Sequence, residues 1–166
     1  KATEIIANSG IVSTNDLVGP EEAKTVHPKR KQPIGERLAN LALNRTYGRD
    51  TICADFASYQ DMELQNDKII LTFKNSSGGL SISEHPELTS DSLIGFEIAG
   101  SDHIFHPAYA HLLPYGIAGR DRIEVSSPQV AKPEAVRYAF KTYAVGNIRN
   151  GCDLPLFPFR TDNWEE

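Results

Sequence analysis

One His-Pro pair, His27-Pro28, stands directly ahead of a predicted amphipathic helix, and acids precede it in the same stretch, among them Asp16 and Glu22. An imidazole titrates near neutrality, so it can take a proton from a serine hydroxyl and return it to a leaving alcohol. Pro28 stiffens the backbone after the ring, and a helix that follows fixes where the loop sits. An acid that accepts the Nδ1 proton turns Nε2 towards a nucleophile. Asp16, just beyond a predicted strand, is the first candidate for that role and Glu22 the second. His27 and Asp16 are therefore the candidate catalytic residues, suited to proton transfer in ester hydrolysis. Taken alone, a histidine before proline is more often a surface or capping residue, and a loop carboxylate is more often merely solvated.

The sequence supplies a base but no nucleophile. It contains no Gly-x-Ser-x-Gly elbow and no Gly-Asp-Ser. Ser9 in Asn8-Ser9-Gly10 reads as a helix-to-strand turn residue, and Ser13 belongs to the predicted strand. The nucleophile is therefore expected on a companion stretch of polypeptide upstream. Lys1 is not an initiator Met, and Lys1-Ala2-Thr3-Glu4 opens inside a predicted helix with no Ser, Thr or Asp cap before it, which predicts a fragment.

The elements that must hold these residues follow from periodicity. Residues 2–7 predict a helical stub and residues 11–14 a strand. From Pro33, Ile34, Leu38, Leu41 and Ala42 recur at helical spacing, Pro33 fits a first turn, and Gly48 suits the end. One face of that helix is expected to pack. Beyond Asp50 the period becomes two: Ile69, Leu71 and Phe73; Phe96 and Ile98; Ile123 and Val125; Val136, Tyr138 and Phe140. Turn residues separate these strands, among them Asn66-Asp67, Ser77-Gly78-Gly79 and Gly100-Ser101-Asp102. Short strands with regular turns predict an immunoglobulin-like β-sandwich. The boundary falls between about Gly48 and Tyr59, giving an α/β piece over residues 1–50 and an all-β domain over residues 51–166. The tail, residues 154–164, is rich in proline and aromatics and is expected to lie as an extended strap. A strand flanked by two helices cannot bury both of its faces alone, so residues 1–50 need neighbours elsewhere.

The 166 residues carry a net charge of -5, which disfavours a nucleic-acid role. No apolar run approaches the roughly 18 residues of a membrane span. Cys53 and Cys152 can form a disulfide or remain buried thiols, and thiols are the favoured expectation.

Several separated motifs then carry a resemblance. Asn8-Ser9-Gly10-Ile11-Val12-Ser13-Thr14-Asn15-Asp16-Leu17 and His27-Pro28-Lys29-Arg30-Lys31-Gln32-Pro33-Ile34-Gly35-Glu36-Arg37-Leu38-Ala39 resemble the C-terminal part of the sialate O-acetylesterase family of SGNH hydrolases. So do Gly95-Phe96-Glu97-Ile98-Ala99-Gly100, Val125-Ser126-Ser127-Pro128, Val136-Arg137-Tyr138-Ala139 and Pro158-Phe159-Arg160-Thr161-Asp162-Asn163-Trp164. The resemblance implies a flavodoxin-like α/β hydrolase layer followed by a β-sandwich. It also implies removal of acetyl groups from sugar hydroxyls by a serine, with His27 as general base. In that family the serine sits in a Gly-Gln-Ser-Asn-Met-like segment, which this chain lacks. Many relatives within the SGNH hydrolases place Asp three residues before the histidine; here that position is Lys24, which shifts the acid's role to Asp16 and leaves a His-Ser dyad open. The implied partners are an O-acetylated sugar or glycan and a companion N-terminal polypeptide, in a periplasmic or secreted setting, with no cofactor and no metal.

Other signals have plainer readings. His103, His106 and His111 lack metal-ligand spacing on a helix, since Pro107 interrupts the face. Lys29-Arg30-Lys31 could meet an anionic sugar but reads better as a solvated first turn, and Ser76-Ser77-Gly78-Gly79 as a turn rather than a phosphate cradle. Arg160, Asp162 and Trp164 are expected to dock the tail. The competing function is a non-catalytic carbohydrate-binding or adhesion module in which the sandwich does the work.

Overall fold

Alternating side chains build sheets only where partner strands lie alongside, and most of the alternating runs find such partners. The computed structural model describes residues 2–25, 27–83, 92–114 and 121–165. These residues are mostly sheet with one long helix. Strand β1 (Ser58–Gln65) turns at Asn66-Asp67 into β2 (Lys68–Lys74), with Gln65 opposite Lys68 and Asn66 left-handed at φ 53°. After the short β3 (Ser81–Ile82) come β4 (Phe96–Ala99), β5 (His106–Pro107), β6 (Tyr109–Leu112), β7 (Arg122–Ser126) and β8 (Ala135–Tyr138). The short β9 (Ile148–Arg149) and β10 (Phe159–Arg160) complete the strands. The order β1-β2-β7-β6 forms one four-stranded sheet, β10-β8-β4-β5 a second, and β3-β9 a small ladder. Every pairing among the described strands is antiparallel.

The two larger sheets share one apolar core. Ile69, Leu71 and Phe73 of β2 and Ile123 and Val125 of β7 meet Phe96 and Ile98 of β4 and Val136 and Tyr138 of β8. Phe159 joins them. Its ring lies 5.2 Å from Tyr59 and 5.6 Å from Phe73 of the first sheet, and 5.8 Å from Tyr138 of the second. Burying such rings contributes roughly 1.5–3 kcal/mol each. The expected strap is therefore partly a strand: β10 pairs with β8, Phe159 opposite Tyr138. The run through Phe140 stops earlier than its alternation predicts, because Ala139 turns left-handed at φ 47° after β8.

The front segment departs further from expectation. Helix α1 (Ala2–Ile5) is one turn, and residues 11–14 form no strand and join no ladder among the described residues. The predicted strand lacks a neighbouring strand there; Ser13 O instead accepts from Arg37 Nη1 and Thr14 O from Leu17 N. Helix α2 (Gln32–Arg45) starts with Pro33 in its first turn, and Gly48 is left-handed at φ 65° beyond its end. It buries only Arg37 and Leu41; Leu38 is 48% exposed, so most of the predicted apolar face is open.

The expectation of free thiols is overturned: Cys53 and Cys152 form a disulfide, Cα to Cα 6.0 Å. It joins the passage between α2 and β1 to the turn after β9. Buried Asn150 holds the same turn, its Nδ2 donating to Asp55 O (2.9 Å) and Asn75 O (3.1 Å) and its Oδ1 accepting from Cys152 N and Leu154 N. The glycine-rich turn after β2 packs on it, with Gly151 N donating to Ser77 O at 2.7 Å. Gly78, at φ 74°, leaves no room for a Cβ, which would lie 2.9 Å from Gly151 Cα. That close backbone contact accounts for the glycines as turn chemistry.

Candidate active site

The site is built from the loop between residues 13 and 29. At its root, Asp16 is 2% exposed and sits in a forked ion pair with Arg37 of α2, whose Nη1 and Nη2 donate at 2.8 and 2.6 Å. Arg37 Nη1 also donates to Ser13 O at 2.8 Å. From β9, Arg149 Nη2 reaches the same carboxylate at 3.0 Å. A carboxylate offers about four lone-pair directions, and three here are taken by guanidinium N–H groups. Asn15 Nδ2 adds a link to Leu156 O at 3.4 Å.

Glu22 is also buried, at 6%. Pro20–Glu22 form a single 3-10 turn, and the Glu22 carboxylate accepts from Gly19 N at 3.2 Å and Lys29 N at 2.7 Å. His27 lies between these bonds and is exposed; its backbone N donates to Thr25 Oγ1 at 3.2 Å. The imidazole makes no hydrogen bond or ion pair among the described residues. The structure thus brings Asp16 to two arginines and Glu22 to two backbone amides, and joins neither carboxylate to the His27 ring.

An open cleft of about 660 Å³ runs beside this loop. Ser13, Asn15 and Thr25 line one side, and Lys141, Thr142 and Tyr143 the other. Lys24 also lines it. Beneath, burial pushes the Tyr138 phenol well above its ordinary pKa, so it stays protonated at neutral pH.

Arg37 and Arg149 escaped the sequence reading. Arg37 had a local signal, since it stands at helical spacing between Ile34 and Leu41 on the face expected to be apolar. Arg149 had none.

The remaining motifs are structural. His103 stacks on Trp164 with centroids 3.8 Å apart, His106 lies in β5 and His111 in β6. Among the described residues no three His, Cys, Asp or Glu side chains gather to hold a metal ion. Arg137 grips Asp162 with Nε and Nη2, both at 3.0 Å, and Arg160 bonds Asp162 and donates to Trp164 O at 2.6 Å, so the tail is docked. Burial alone would raise the Asp162 carboxyl, but N–H groups from Arg137 and Arg160 outweigh it and hold its pKa below the ordinary value. No described helix is long and apolar enough to cross a membrane.

No family model matches the chain, and no curated protein matches it. Among solved structures it is similar to a novel carbohydrate acetylesterase from Xanthomonas citri, with a TM-score of 0.75 and 33% identity over 90% of this chain, which spans 31% of that protein's length.

Proposed function

We propose that the chain is the C-terminal part of a carbohydrate O-acetylesterase of the sialate O-acetylesterase type. In this reading residues 1–50 complete a flavodoxin-like SGNH hydrolase layer and residues 51–166 form an immunoglobulin-like sandwich. The observation that carries it is the likeness, at 33% identity over 90% of the chain, to an acetylesterase about three times as long. The exposed apolar residues Ile11 (60%) and Leu38 (48%) support an adjoining layer, since such side chains gain by burial.

A serine on the companion N-terminal polypeptide attacks the acetyl carbonyl of an O-acetylated sugar while His27 accepts its proton. The acetyl-enzyme forms as His27 protonates the departing sugar hydroxyl. His27 then activates water to release acetate. Asp16 serves from the loop root; direct acceptance of the Nδ1 proton would require the ring to approach its remaining lone-pair direction or displace an arginine N–H. Without that movement the pair is a His-Ser dyad. The disulfide supports a periplasmic or secreted setting, where such bonds persist.

The test is hydrolysis of p-nitrophenyl acetate by the chain together with its companion polypeptide. His27→Ala is expected to lower kcat by at least about 10³-fold while leaving the fold intact. Wild-type turnover in a folded His27→Ala protein would defeat the assignment of His27 as base and favour a different base or the binding-module reading.

A further inference from the structure

We infer that Glu22 is a positioning residue for His27, acting on the loop backbone rather than on the imidazole. The inference rests on His27 being the base proposed above. Four bonds converge on Glu22. Its N donates to Gly19 O at 2.9 Å and its O accepts from Thr25 N at 2.9 Å. Its carboxylate accepts from Gly19 N at 3.2 Å and from Lys29 N at 2.7 Å. Thr25 and Lys29 are the residues two places before and two places after His27, so both flanks of the base are tied to one side chain and its own peptide group.

Two further features restrain the backbone at His27 itself. His27 N is bonded to Thr25 Oγ1, and Pro28 has a fixed φ and no N–H. On the C-terminal flank the bond from Lys29 N spans seven positions and is the shorter of two ties to this turn, the other being the exposed pair of Lys29 Nζ with Glu21 at 3.4 Å. The Lys29 N bond is charge-assisted and partly shielded from water, its acceptor Glu22 being 6% exposed. An exposed ring on a loop can hold a reactive position only if its backbone is held for it, and a displacement of about 1 Å can cost about 10²-fold in rate. Neither carboxylate oxygen of Glu22 is directed to His27, so the charge secures the loop and leaves both ring nitrogens open for proton transfer.

The experiment compares Glu22→Gln, Glu22→Ala and His27→Ala for p-nitrophenyl acetate turnover with the companion polypeptide, alongside NMR of the His27 ring in each folded protein. Glu22→Gln keeps the shape but presents an amide N–H to one of the two donors, so kcat should fall roughly 10-fold; Glu22→Ala removes both bonds and should lower it roughly 100-fold, with KM within about twofold. The His27 ring signals should shift in both variants while those of the other histidines hold, and Lys29 N should lose exchange protection. Wild-type kcat and unmoved His27 signals in Glu22→Gln would overturn the inference, even if Glu22→Ala fails to fold. Turnover surviving His27→Ala would instead defeat the base assignment, a result the Glu22 variants cannot mimic.

Discussion

Arg149 and Asp16 stand 133 positions apart in the sequence and 3.0 Å apart in space. This ion pair fastens the root of the His27 loop to strand β9, in a site where Asp16 is also gripped by Arg37. Removing the Asp16 charge leaves two guanidinium groups with a lost partner. Asp16→Asn is expected to cost about 3–5 kcal/mol in denaturant unfolding. Arg149→Met leaves the Arg37 fork in place and should cost less, about 1–3 kcal/mol. A double-mutant cycle between the two positions should give a coupling of at least about 1 kcal/mol. A coupling near zero would mean that the link between Asp16 and Arg149 carries no stability.

The disulfide closes a long loop, Cys53 and Cys152 lying 99 positions apart. Cross-linking residues so far apart restricts the unfolded chain, an effect of up to about 4–5 kcal/mol, and measured values commonly lie at about 2–5 kcal/mol. The Cys53→Ser, Cys152→Ser protein should therefore melt well below the oxidised wild type. Reductant should lower the wild-type melting temperature and leave the double variant where it is. Equal melting temperatures with and without reductant would contradict the cross-link's role.

Asp162 sets an acid limit on tail docking. Its folded pKa lies below the ordinary 3.8, so its contribution is fully present above 3.8 and is lost as pH falls through the lower folded value. Trp164 is the sole tryptophan, stacked on His103, and its fluorescence reports the tail. Asp162→Asn should destabilise the protein by about 3 kcal/mol at neutral pH, because Arg137 and Arg160 lose their shared anion. Its stability should also change less than the wild type's between pH 4 and lower pH. Superimposable acid-unfolding curves for the two proteins would rule this out.

Local chemistry alone determined a good part of this protein. Steric alternation marks β2, β4, β7 and β8, and Pro33 with Gly48 brackets α2, because these signals depend on neighbours a few residues away. Strand β1, with the sequence Ser-Tyr-Gln-Asp-Met-Glu-Leu-Gln, carries no such mark: it is a mostly polar edge with a register shift between Tyr59 and Asp61. It becomes a strand because β2 offers a partner. His27, Asp16 and Glu22 were legible as residue types able to move or hold protons, but their partners were not. Tertiary structure decided that Asp16 binds Arg37 and Arg149, that Glu22 binds backbone amides, and that Cys53 meets Cys152. The long-range pairings depend on how the whole chain closes on itself, and a buried charge or thiol takes whichever complementary group the fold delivers to it, a choice that no local spacing encodes.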